Sequence, residues 1–163
     1  MIYLSIILIF ISIILEGIIP NIFRDIMPLF IISIIIISST FKIESKNYYI
    51  SIFILGVIYD MFYTSTIFLN GFIFLFIAYI SKSLVNNQTN FIKAIFYYYI
   101  LSFLYIIIMF YFTYFYVPKS MIELLIIYKN SIIINTTYFI LFYFMFVGIK
   151  NINSNRNRKK TYF

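Results

Sequence analysis

From Ile50 to Tyr79 the chain is an almost unbroken apolar run whose one charged residue is Asp60. Gly56, Asn70 and Gly71 interrupt the same run. An ionisable side chain at membrane depth is costly unless it faces protein or water. A chain that carries one there must pack helices around it, so Asp60 constrains the fold before any other residue does.

Composition agrees. The 163 residues are 64% hydrophobic and 10% charged, with mean hydropathy +1.03. A soluble domain averages about 45–50% apolar and about 25% charged. Lipid must therefore be the solvent for most of this surface. Cys and His are both absent, which excludes thiolate nucleophiles, imidazole general bases and Cys/His metal sites. There is no glycine-rich phosphate loop. Asp60 and Glu16 are the only acids near the lipid core, and nothing in the pattern sets them as the matched pair that glycoside chemistry needs. The expectation is a protein that is not an enzyme, with no catalytic, cofactor-binding or metal-binding residues. The net charge of +7 comes from basic residues at loop ends and in the tail, which points to a lipid bilayer and away from nucleic acid. The N-terminal stretch has no basic n-region and no small-residue cleavage site, so it reads as a retained membrane helix.

About 20 residues carry a helix across about 30 Å of hydrocarbon. Six segments suit that length: about Ile2 to Ile19, Ile26 to Phe41, Tyr48 to Tyr63, Ile67 to Ser83, Ile92 to Val117 and Ser131 to Ile149. Pro28 is expected in the opening turn of the second. Pro118 to Asn130 reads as a partly amphipathic interfacial segment holding Lys119, Glu123 and Lys129. With both termini inside, Lys42, Lys46, Lys82, Lys93, Lys150, Arg156, Arg158, Lys159 and Lys160 fall on the cytoplasmic face, leaving Arg24, Lys119 and Lys129 outside. That partition satisfies the positive-inside rule. Tyr3, Tyr48, Tyr49, Tyr63, Tyr97, Tyr116 and Tyr128 near segment ends can form the aromatic belt in a chain without Trp. The expected fold is an all-α membrane protein, a polytopic bundle of six transmembrane helices with N and C termini cytoplasmic. Residues 1–150 form the transmembrane domain and 151–163 a basic, disordered cytoplasmic tail.

Asp60 follows Gly56 by one helical turn, so both lie on one face. Gly56 admits a close neighbour, and Asp60 points into the same contact. It can anchor hydrogen bonds within the bundle or toward a partner's helix, or it can sit at the outer end of a short span and reach water. Asn70, Thr64, Ser65 and Thr66 are within reach to satisfy it as an intramolecular polar cluster. Pro20 and Asn21 read as the start of a turn between the first two spans. Glu16 and Asp25 read as interfacial charges snorkelling to water, with a Glu16–Arg24 contact as the other option. Gly71, Ala78, Ser81 and Ser83 are small residues suited to a helix seam.

Pro20-Asn21-Ile22, Gly56-Val57-Ile58-Tyr59-Asp60, the short turn Tyr63-Thr64-Ser65-Thr66, Leu69-Asn70-Gly71 and Tyr79 together resemble the rod shape-determining protein MreD family. In that family a Pro-Asn/Asp-Leu turn precedes the second span. An apolar Gly-x-x-x-Asp ends the third, and a Leu-Asn/His-small step opens the fourth. The turn between them usually contains glycines, where Thr64 and Phe68 stand here. The resemblance implies a non-catalytic scaffold of the bacterial inner (plasma) membrane. Its partners would be a bitopic MreC-like protein, the actin-like MreB filament, and a SEDS glycosyltransferase with its class B transpeptidase. The role implied is support of sidewall peptidoglycan synthesis and cell shape. The family is also similar in fold to the S components of energy-coupling-factor vitamin transporters, and a substrate-binding S component is the second reading. That class needs convergent polar groups in a pocket and usually small residues on the first span, yet Ile2 to Leu15 contains neither Ala nor Gly.

Overall fold

The computed structural model describes every residue except 24, 44, 65, 67, 86–89, 114–120 and 161–163, and the side chains of all of these but 113 and 153–160. Arg24, Ser65, Pro118 and Lys119, which bear on the sequence reading, lie outside the described residues. The described residues hold six helices and no strand: α1 (Ile2–Ile22), α2 (Phe30–Thr40), α3 (Lys46–Tyr63), α4 (Leu69–Leu84), α5 (Phe91–Thr113) and α6 (Met121–Lys160).

The bundle is organised around α2, in which every residue from Phe30 to Ser39 is buried. A helix that is apolar all round belongs in a core, and α1, α4, α5 and α6 pack around this one. The β-branched isoleucines give it no propensity advantage, so its stability comes from packing. Its hydroxyls are satisfied mostly along the helix: Ser33 donates to the Leu29 carbonyl at 3.1 Å and Thr40 to Ile36 at 2.9 Å, while Ser39 meets Ser81 of α4 at 2.6 Å. Outside this core, α3 lies along α4 and also touches α1.

Surface polarity is inverted relative to a soluble protein. On α1 the residues Tyr3, Ile7, Phe10, Ile14 and Ile18 are exposed at helical spacing, while Ser5, Ser12 and Glu16 are buried. Apolar side chains outward and polar ones inward is the arrangement lipid demands. Among the described residues, three helices are long and apolar enough to cross a bilayer: α1, residues Phe91–Phe112 of α5, and Met121–Ile152 of α6. This is an all-helical membrane protein.

Several boundaries differ from the sequence reading. The second segment starts at Phe30 rather than near Ile26, so Pro28 precedes the helix instead of opening it. With 11 residues, α2 rises only about 16 Å. It is enclosed by protein, where a short helix and irregular backbone are tolerated at membrane depth. Pro20 and Asn21 do not start a turn: α1 runs through both to Ile22, and the Asn21 side chain donates back to the Gly17 carbonyl at 2.9 Å. The described part of the expected interfacial segment, from Met121 on, is continuous with α6. The apolar part of that helix spans 32 residues, about 48 Å, so it must tilt or project beyond about 30 Å of hydrocarbon. Helical backbone also continues to Lys160, where an irregular tail was expected. Tyr48 is fully buried rather than part of an interfacial belt.

Candidate functional site

The site begins with two glycines. A Cβ placed on Gly56 of α3 would lie 2.5 Å from the Gly71 Cα of α4. The two backbones therefore meet with no side chain between them, and only glycine at 56 allows it. That approach delivers Asp60, one turn further along α3, to the start of α4. Its Oδ2 accepts from the Asn70 backbone N–H at 2.8 Å. Its Oδ1 accepts from the Asn70 side-chain amide at 2.6 Å and from the Thr64 hydroxyl at 2.8 Å. Asn70 is the second residue of α4, so Asp60 supplies an acceptor that the opening turn of a helix lacks, on the side where the helix dipole favours negative charge.

Tyr105 of α5 closes the cluster by donating to Asn70 Oδ1 at 3.0 Å. Its ring stacks on Phe74 at 6.0 Å. Asp60, Asn70, Phe74 and Tyr105 are all buried. Of the described turn residues, Thr64 bonds Asp60 directly, and Thr66 meets Thr64 through its hydroxyl at 3.3 Å and its carbonyl at 3.1 Å.

A second carboxylate does the same at α2. Glu16 is buried, which overturns the reading of it as a snorkelling interfacial charge. Its Oε1 accepts from the Ile31 N–H at 2.8 Å, and Ile31 is the second residue of α2. The Tyr59 hydroxyl, one position before Asp60, faces the same carboxylate. Ahead of α2, the non-helical stretch 26–29 is held by α6. Ser131 Oγ accepts from the Met27 N–H at 2.6 Å, Asn135 Oδ1 accepts from the Leu29 N–H at 2.9 Å, and the Asn135 amide donates to the Met27 carbonyl at 3.0 Å. Irregular backbone inside a bilayer needs such substitutes for water.

Four of the six residues singled out from sequence thus come together: Gly56, Asp60, Asn70 and Gly71. Pro20 and Asn21 lie in the last turn of α1, one turn beyond Glu16, and take no part in the bonds described here. Glu16, Tyr59, Tyr105, Ser131 and Asn135 complete the polar layer and were not anticipated. Ser131 and Asn135 had a legible signal, since two polar residues four apart on an apolar helix share one face. Chemically, the layer fastens helices. Its carboxylate oxygens are taken up by backbone and side-chain donors, and no group of three or more acidic, His or Cys residues converges among the described residues.

Beside this layer, Phe68, Leu69, Phe72, Phe76 and Tyr79 with Ile108 and Phe112 line an open apolar groove of about 940 Å³ between α4 and α5. Comparison of the chain with protein-family models, curated proteins and solved structures returned no match.

Proposed function

We propose that this chain is a non-catalytic integral membrane scaffold of the cell-elongation machinery, in the manner of the MreD family that its motifs resemble. In this reading all six helices belong to the membrane domain, both termini are cytoplasmic, and the membrane is the bacterial plasma membrane. The lateral surface binds the transmembrane helix of a bitopic MreC-like protein, and through it bears on the MreB filament and the peptidoglycan-polymerising pair.

The observation that carries the proposal is the use made of Asp60. The acid of the Gly-x-x-x-Asp motif is consumed in fastening α4 to α3, so the motif specifies a shape rather than a reaction. A rigid helical pair with an apolar exterior suits lateral association, which in lipid rests on close packing. Among the described residues, the groove beside it is lined by aromatic and aliphatic side chains with Thr66 and Tyr79 as its polar ones, and a vitamin pocket would need several convergent polar groups.

The test is co-expression with an MreC-like bitopic protein and recovery in mild detergent. Recovery with the native chain, reduced in Asp60→Ala at matched protein level, is the expected result. Failure of the native chain to recover it would overturn the scaffold reading. Stoichiometric binding of a vitamin-sized ligand by the purified protein would favour the S-component reading instead.

A further inference from the structure

The end of the bundle opposite the Asp60 layer carries a collar of lysines. Lys42 follows α2, Lys46 opens α3, Lys82 lies in the last turn of α4, Lys93 in the first turn of α5, and Lys150 late in α6. All five are exposed. Contacts between neighbours place them at one level. The Lys82 ammonium sits 5.6 Å from the Tyr49 ring centroid at the start of α3, and the Lys150 ammonium 5.6 Å from the Phe41 ring at the end of α2. Phe91, two residues before Lys93, packs on Tyr143 and Phe144 of α6 at 5.0 and 5.3 Å.

Acidic residues do not balance this collar among the described residues. Glu16 and Asp60 lie in the polar layer, Asp25 follows α1, and Glu123 opens α6, all toward the other end of the bundle. Glu44 shares the Lys42–Lys46 turn in sequence and lies outside the described residues. The rings under Lys82 and Lys150 hold two of the ammoniums at the rim by cation–π attraction.

We propose that this collar is a binding surface for anionic lipid headgroups, which it gathers around the bundle in preference to zwitterionic ones. Charge complementarity and position select the occupant. The lysines ring the ends of helices whose flanks are apolar, which is the depth at which headgroup phosphates lie, and basic residues at that depth attract anionic lipid. The inference does not depend on the scaffold reading and holds equally for a transporter component.

The test uses the purified full-length protein in bilayer nanodiscs, with spin-labelled phosphatidylglycerol and phosphatidylcholine as probes of the lipid shell touching the protein. Phosphatidylglycerol is expected to be enriched severalfold at low salt. The enrichment should fall toward unity in 1 M salt, where the Debye length shrinks to about 3 Å. Lys42→Gln/Lys46→Gln/Lys93→Gln should lower it markedly, whereas Lys129→Gln, at the other end of the bundle, should leave it unchanged. Equal association of the two lipids with the native chain at low salt would overturn the proposal, whatever the variants do. So would an equal loss in Lys129→Gln and the triple variant.

Discussion

Glu16 stands to α2 as Asp60 stands to α4. Each carboxylate comes from the later part of one helix and accepts, at 2.8 Å, the backbone N–H of the second residue of the next. Each receiving helix is short, with 11 residues in α2 and 16 in α4. Two helix hairpins are thus locked by the same device. An acceptor at a helix N-terminus is favoured by the dipole, and here both carboxyl groups are also shielded from lipid by the helices they cap.

The first prediction concerns the strength of these locks. Asp60→Ala removes three acceptor contacts and leaves the Asn70 N–H without its partner. Interhelical hydrogen bonds in membranes contribute roughly 0.6–2 kcal/mol each, so the loss of three should be about 2–6 kcal/mol in reversible unfolding from mixed micelles. Glu16→Gln keeps an acceptor oxygen and should lose about 1 kcal/mol or less, while Glu16→Leu should lose about as much as Asp60→Ala. Equal stability of Glu16→Gln and Glu16→Leu would show that the Ile31 bond contributes nothing.

A second prediction contrasts two glycines. A methyl at position 56 has to push against the Gly71 backbone, and backbone cannot step aside as a flexible side-chain tip can. Gly56→Ala should destabilise by about 1–3 kcal/mol, the usual range for overpacking. Gly148 on α6 has nothing within 4 Å of where its Cβ would be. Gly148→Ala should therefore be neutral or slightly stabilising, since alanine is the better helix former. Thermal melts of the two variants in the same detergent check the contrast.

These contacts explain what could be read from the sequence and what could not. Gly56 and Asp60 were legible because both lie on one helix, where a spacing of four fixes a shared face. That Asp60 meets Asn70 was suggested by the shortness of the turn between them, whereas the Gly56–Gly71 contact was not foreseen. Glu16 was misread because its position is ambiguous in one dimension. An acid six residues before a helix end is at the interface if the next helix starts in water, and buried if it starts inside the bundle. The decision belongs to Ser131 and Asn135, more than a hundred residues away, which hold residues 26–29 inside. The all-helical fold followed from hydropathy, while the boundaries of α2 and α6 did not, because hydropathy does not distinguish a buried apolar loop from a helical turn.

The third prediction tests that long-range hold. Asn135→Ala should release both the Leu29 N–H and the Met27 carbonyl and lower stability by about 1–3 kcal/mol. Asn135→Asp retains an acceptor for Leu29 but loses the donor to Met27, so it should fall between the native chain and Asn135→Ala. Amide hydrogen exchange offers an independent readout. The Leu29 amide should exchange faster in Asn135→Ala, and the Asn70 amide, which is fastened by Asp60, should not.

The last prediction concerns Phe68, whose φ of 70° puts it in the left-handed region at the N-cap of α4. A bulky side chain there costs roughly 1–2 kcal/mol, and glycine takes the same conformation without penalty. The ring is not idle, since it stacks on Phe53 with centroids 6.4 Å apart. It is nevertheless 49% exposed, so the packing it loses on removal is partial. Phe68→Gly should therefore stabilise the protein by up to about 1 kcal/mol in mixed-micelle unfolding. Phe68→Ala, which loses the ring and keeps the strained backbone, should destabilise it. If both variants shift stability in the same direction and by the same amount, the ring contact governs this position and the backbone strain does not.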